Sequence, residues 1–220
     1  MPNGISHRNV QKKHYKQKGT EIREWLDITY PKIVKLAAEE NAEIYWLDEV
    51  GIQNTSNYVK GYAPRGKTPT IPVETKHIRV NMISAITNRG KLRFYFYRGK
   101  MTQDVFRSFL MRLIRSTDKK VFAISDNLTA HHGLRLKEWA HGKPAQIRLF
   151  NLPSYAPELN PVEYLNNNLK FEIARKGYSR TKNEIKKNAM SVMRSLQSTK
   201  NRIATFFDNQ HVKYAKFIEI

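Results

Sequence analysis

Cysteine is absent from all 220 residues, which excludes disulfide-stapled scaffolds and thiolate zinc sites. Acid is scarce too: 19 Asp and Glu stand against 39 Lys and Arg, a net charge of +20. No apolar run approaches the roughly 20 residues that span a bilayer. The opening MPNGISHRNVQKKHYKQKG lacks the apolar centre of a signal peptide. These absences predict a cytoplasmic protein with no membrane partner. What is present is ordinary globular material, 40% hydrophobic and 11% aromatic, enough for one domain with a real core. A charge surplus this large in a folded chain favours a polyanionic partner, nucleic acid first.

No internal repeat or low-complexity tract interrupts the chain. Residues 1–20 carry five Lys or Arg and no acid, a solvated basic lead-in. Apolar spacing from Glu21 to Asn41 predicts two short helical pieces broken near Pro31. EIYWLDEVGIQ is β-rich, and Gly61, Pro64, Gly66 and Pro69 punctuate the turns after it. Residues 77–87 and 91–99 read as two strands joined through Asn88, Arg89 and Gly90. A helix follows Thr102, then the apolar strand VFAISD, a helix over His131–Ala140, and the strand IRLFNLP. Asn160 and Pro161 open another helix as N-cap and first residue, and residues 181–207 are helical as well. The order predicts an α/β fold, a mixed sheet flanked by helices with three strands that can run parallel. Ribonuclease H-like folds have this arrangement. The domain reading is a basic helical lead-in at 1–42, a catalytic domain at 43–178, and a basic helical extension at 179–220.

Three acids sit at telling places. Asp48 ends a strand and shares one face of it with Ile44 and Trp46, so Glu49 points the other way. Asp126 follows Phe122 and Ile124 on one face of its strand. Strand ends in open α/β sheets are where ligands bind. Glu163 lies in a first helical turn, where the macrodipole also favours it. Singly, each has a duller role as turn former, cap or favourable charge. Gathered together they would repel, and a divalent metal relieves that repulsion. Oxygen ligands without thiolate select magnesium or manganese. A pair of such ions suits phosphoryl transfer.

WLDEVGIQ, GYAPRGKTP, ISDNLTAHH and LPSYAPELNPVEYLNNNLK occur in this order, with 36 residues between Asp126 and Glu163. In these blocks the chain resembles the mariner superfamily of DDE transposases, most of all its bacterial insertion-sequence branch. The similarity runs from WLDITYPKI to FFDNQHVKYA. It implies a ribonuclease H-like catalytic domain with Asp48, Asp126 and Glu163 as metal ligands, binding two magnesium or manganese ions. It also implies double-stranded DNA partners (transposon ends and target), a homodimer when active, and a nucleoid-associated bacterial setting. Two departures stand out. Such proteins carry an N-terminal helix-turn-helix region, and the residues before Trp25 leave no room for one, as in a truncation, a fragment or one product of a split frame. They also carry Trp where this chain has Asn166, which reads as a packing change.

Supporting residues are read more broadly. Arg65 and Lys67 grip DNA phosphate, or simply belong to a Gly- and Pro-shaped turn. Asn127 and His131 follow the second acid; His131 orients water, phosphate or a ligand, or merely begins a helix, and His132 is the lesser candidate. Lys170, two turns after Glu163 on one face, meets a phosphate or is a solvated lysine. From Lys170 to Arg202 there are ten Lys or Arg and two Glu, a DNA track that includes Arg175 and Lys176. Tyr155 and Pro157 shape the loop that aims Glu163, with base stacking as the alternative for Tyr155. Two rival functions share these residues: a host nuclease of the same fold, and a remnant that binds DNA without cutting it.

Overall fold

A computed structural model describes residues 18–54, 64–67, 77–126 and 133–216. Its centre is a five-stranded sheet of β1 (Ala42–Gln53), β2 (Arg79–Ile86), β3 (Leu92–Tyr97), β4 (Lys120–Ser125) and β5 (Ile147–Asn151), in the order β3-β2-β1-β4-β5. β2 runs antiparallel to both β1 and β3, while β1, β4 and β5 are parallel. The β2–β3 turn closes through Gly90 at φ 83°, where a side chain would also collide with the Lys200 backbone.

Period-two alternation divides the core. Ile44, Trp46, Val50 and Ile52 of β1 face one layer, with Phe122 and Ile124 of β4; Tyr45 and Leu47 face the other, with Val121 and Ala123. The second layer is covered by α3 (Gln103–Ile114) and α4 (Leu134–His141). Thr102 caps α3 through its side chain, which accepts from the Val105 N–H at 3.3 Å. The first layer is covered by α2 (Tyr30–Glu39), α5 (Val162–Arg175) and α6 (Lys182–Ser198). Side chains from 25–37 and 185–215 therefore share one core with β1 and β4.

The first helical piece, α1 (Gly19–Glu24), meets α2 through a widened turn at Trp25–Thr29, where the Tyr30 N–H reaches back to the Trp25 carbonyl. The interruption falls ahead of Pro31, which sits inside the first turn of α2. Widening the preceding turn gives the proline ring room against the carbonyl four residues back and uses no N–H there.

An aromatic cluster of Trp25, Tyr30, Trp46 and Tyr214 has ring centroids between 5.0 and 6.5 Å apart. Trp25 Nε1 donates to the Tyr214 hydroxyl at 3.0 Å, and that hydroxyl donates to the Leu159 carbonyl at 2.9 Å. Both ends of the described chain thus anchor the loop that leads into α5. Among the described residues, no helix is long and apolar enough to cross a membrane.

Candidate active site

β1 and β4 pair in register from Ala42↔Lys120 to Trp46↔Ile124. Asp48 and Asp126 each lie two residues beyond the last pair of that register, so the two acids leave the paired region at corresponding positions. Asp126 immediately follows β4, and the Leu152 N–H bonds the Ser125 carbonyl at 2.9 Å, holding the β5 exit against it. The loop from β5 passes through Tyr155, at φ 59°, a left-handed conformation that is costly for an aromatic residue. It then reaches a single 3-10 turn at Pro157–Leu159 and Asn160.

Asn160 ties Glu163 to Asp48. It is 2% exposed. Its Nδ2 donates to the carbonyl of Leu47 at 2.9 Å, and its Oδ1 accepts the Val162 N–H at 3.1 Å. The side chain therefore caps α5 and fastens that cap to the strand residue preceding Asp48. Pro161 is already helical at φ −63°, as expected for a first helical residue.

Burial and like charge act together on two of the three carboxylates. Burial raises Asp48 well above its ordinary pKa, and the charges of Glu163 and Asp126 add to this against an opposing backbone hydrogen bond from Glu49. Glu163 is also raised, first by burial, with Lys170 lowering it and Asp126 raising it. Glu49 points into the other layer, where its Oε2 accepts from the Tyr97 hydroxyl at 3.2 Å. Among the described residues, no three His, Asp or Glu side chains stand close enough to hold one ion together. Ligation by all three acids would take a further approach of their side chains.

A contact absent from the sequence reading is that of Asn166 with Asp48. Its Nδ2 donates to Asp48 Oδ2 at 2.7 Å, and the residue is 1% exposed. The Asn at this position is thus a polar partner of the first acid, and the expectation of a mere packing change is corrected. Helical spacing from Glu163 puts it on the acid-bearing face, but the run Asn166–Asn168 gave no sign of which amide turns inward.

The other candidates are spread more widely. Lys170 is half-buried and close enough to influence Glu163. Arg175 and Lys176 are exposed at the end of α5, touching Glu172 and Ser191 at 3.4 Å each. Arg65 and Lys67 are exposed in a turn closed by the Lys67 N–H on the Pro64 carbonyl at 2.9 Å. Asn127, His131 and His132 lie outside the described residues.

A mixed sheet in this order, with helices on both faces, is a ribonuclease H-like fold; Asp126 stands just past β4, whereas Asp48 lies within β1, which runs on to Gln53 by pairing with β2, and does not end its strand as the sequence suggested. A family model described as DDE superfamily endonuclease matches residues 43–186. The chain belongs to that superfamily. No curated protein sequence matches it. Similar solved structures include the Mos1 transposase paired-end complex with left transposon end, at 14% identity and a TM-score of 0.65, covering 98% of this chain and 68% of that one. The Mos1 mariner paired end complex with Mn gives 11% identity and 0.66 over 97% and 68%. The catalytic domain of Mos1 mariner transposase gives 10% identity and 0.58 over 94% and 99%. At these identities the likeness is one of fold.

Proposed function

We propose that this protein is the catalytic part of a mariner-type DDE transposase, which cuts DNA strands at transposon ends and joins the freed 3′ ends to target DNA. The observation that carries this reading is the placement of three acids from separate elements in a chain of net charge +20: Asp48 in β1, Asp126 just past the neighbouring parallel strand β4, and Glu163 at the start of the helix that Asn160 ties to β1. The segment 43–178 carries the chemistry, and 1–42 and 179–220 flank it.

The donor set fits a hard divalent cation. All three candidates are carboxylates, thiolate is absent from the sequence, and burial with like charge makes the acids poor company for one another. Asp48, Asp126 and Glu163 would hold two magnesium or manganese ions. When bound, the ions favour attack by one oxygen and departure of the other in an in-line displacement at phosphorus. The Mos1 paired-end relatives with Mn and Mg support this choice.

The chain's own residues do the positioning. Asn160 fixes α5 to β1, so Glu163 keeps its place relative to Asp48. Lys170 sets a positive charge beside Glu163, suited to a substrate phosphate. Arg175, Lys176, Arg65, Lys67 and His131 extend the phosphate contacts along duplex DNA. The active form is a homodimer, each copy serving one end, in the nucleoid of a bacterial cytoplasm.

The test is magnesium-dependent nicking of a duplex bearing the repeats that flank the reading frame. Asp48→Asn, Asp126→Asn and Glu163→Gln should each lower the rate by about 10²-fold or more, while Glu49→Gln stays near wild type. Combining two of the damaging changes should add little, because groups that act as a unit are not additive. Undiminished nicking by Asp126→Asn, or equal loss from Glu49→Gln, would refute this assignment. Binding without any nicking by the unmodified protein would favour the remnant reading.

A further inference from the structure

The buried stripe of α5 consists of Val162, Leu165, Asn166, Leu169 and Ile173. Four of these are aliphatic and one is an amide. A side-chain amide on such a stripe is costly to bury unless its polar atoms are matched. Asn166 is matched on one side only: Nδ2 donates to Asp48 Oδ2 at 2.7 Å, whereas Oδ1 is buried without a hydrogen-bond partner among the described residues. A half-satisfied amide weakens a core rather than strengthening it. Packing therefore gives no reason for an amide at this position, and the Asp48 contact does.

We infer that Asn166 is a positioning residue for Asp48, holding one carboxylate oxygen so that the other is presented to a divalent cation shared with Asp126 and Glu163. This rests on the metal-dependent reading proposed above. A hydrogen bond to one oxygen fixes the plane of the carboxylate and removes a torsional freedom that ligation would otherwise have to freeze. A neutral donor suits the task. Lysine or arginine in its place would pair with Asp48 and compete with the cation for it, and an aspartate would add a fourth repelling charge. Asn166 also lies on the same helix as Glu163, one turn on. Its bond to Asp48 therefore fixes the strand acid relative to the helix acid. Asn160 secures the backbones of these two elements, and Asn166 secures the carboxylate itself.

The experiment titrates manganese alone into the full chain and follows the free ion by its paramagnetic resonance signal. It compares wild type, Asn166→Leu, Asn166→Ala, Asp48→Asn and the double variant Asp48→Asn with Asn166→Leu. Losing the donor should weaken manganese binding about 10- to 100-fold, while metal-free Asn166→Leu remains folded at the temperature of the titration, the lost hydrogen bond to Asp48 being offset in part by the apolar side chain. Asp48→Asn should weaken binding as well, and adding Asn166→Leu to it should change affinity little, since the amide acts through that carboxylate. A residue that only fills space would shift melting and leave affinity alone. Asn166→Ala reads the same way should the leucine variant fold poorly. Wild-type manganese affinity in a folded Asn166 variant, or an equal further loss in the Asp48→Asn background, overturns the role of Asn166. Unchanged affinity in Asp48→Asn overturns the metal reading itself and this inference with it, so the two failures are distinguishable.

Discussion

Replacing Asn160 should cost stability and activity through two separable bonds. In Asn160→Ala the Val162 N–H, at a residue with no exposed surface, loses its acceptor. Loss of an N-cap typically costs about 1 kcal/mol. The Leu47 carbonyl loses the donor it holds at 2.9 Å, worth about 1 kcal/mol net and somewhat more in a buried setting. The sum, about 2–4 kcal/mol, corresponds to a fall of roughly 4–16 °C in melting temperature for a chain of this size. Asn160→Ser separates the parts. Serine keeps a cap acceptor but cannot reach the strand carbonyl, so it should recover about 1 kcal/mol of the loss.

Activity should not follow stability between these variants. Both lose the tie between α5 and β1, so nicking should fall by at least about tenfold in each, measured well below both melting temperatures; a misplacement near 1 Å already costs more than that. Urea unfolding gives the stabilities and the duplex assay gives the rates. An Asn160→Ala protein within about 0.5 kcal/mol of wild type would refute the energetic reasoning. Normal nicking by Asn160→Ser would refute the positional one.

Two further outcomes follow from charge. Asp48 and Glu163 are both raised in the folded chain, so the unfolded state releases these protons first as pH climbs, and stability is lost from the ordinary carboxylate range upward. In chelator, the melting advantage of Asp48→Asn over wild type should therefore grow as pH rises above the ordinary carboxylate range, and a pH-independent difference by scanning calorimetry would contradict the burial of that charge. The net charge of +20 should make DNA binding fall roughly 10³–10⁵-fold between about 50 and 200 mM salt if six to ten phosphates are neutralised; fluorescence anisotropy that stays flat over this range would exclude that mode.

The strand acids were legible because period two is a strong local signal. Ile44, Trp46 and Asp48, like Phe122, Ile124 and Asp126, declare a common face once the strand is recognised, and Glu49 declares the opposite one. Asn160 and Pro161 were legible as a helix start because capping is local chemistry too. The second bond of Asn160, to Leu47 far back in the sequence, is tertiary and leaves no periodic trace. The inward turn of Asn166 is hidden in the same way, since Asn166, Asn167 and Asn168 look alike until α5 is docked. The basic stretch after Lys170 concealed something else. Ile185, Ala189, Val192, Met193 and Leu196 form an apolar stripe that packs into the core, while Lys182, Lys186, Lys187 and Arg194 remain exposed. Counting charge alone described only the outer face of that helix.

Helix α5 brings the two electrostatic requirements of such a site within a few turns of each other. Its inward face carries Glu163 and Asn166, in surroundings where negative charge is costly because it is buried and crowded. Its exposed end carries Arg175 and Lys176, and Lys170 stands between the two regions, close enough to ease the burden on Glu163. A uniformly basic surface would draw in polyanions but leave nothing to hold a cation. A uniformly acidic cleft would hold the cation but repel the phosphate it must act on. Crossing from one regime to the other along a single rigid element fixes the distance between them to helical geometry. Asn160 and Asn166 then fix that element to β1 using neutral amides, which leave the charge on either side unaltered. Neutral ties hold Asp48 against α5 without setting a further charge beside it.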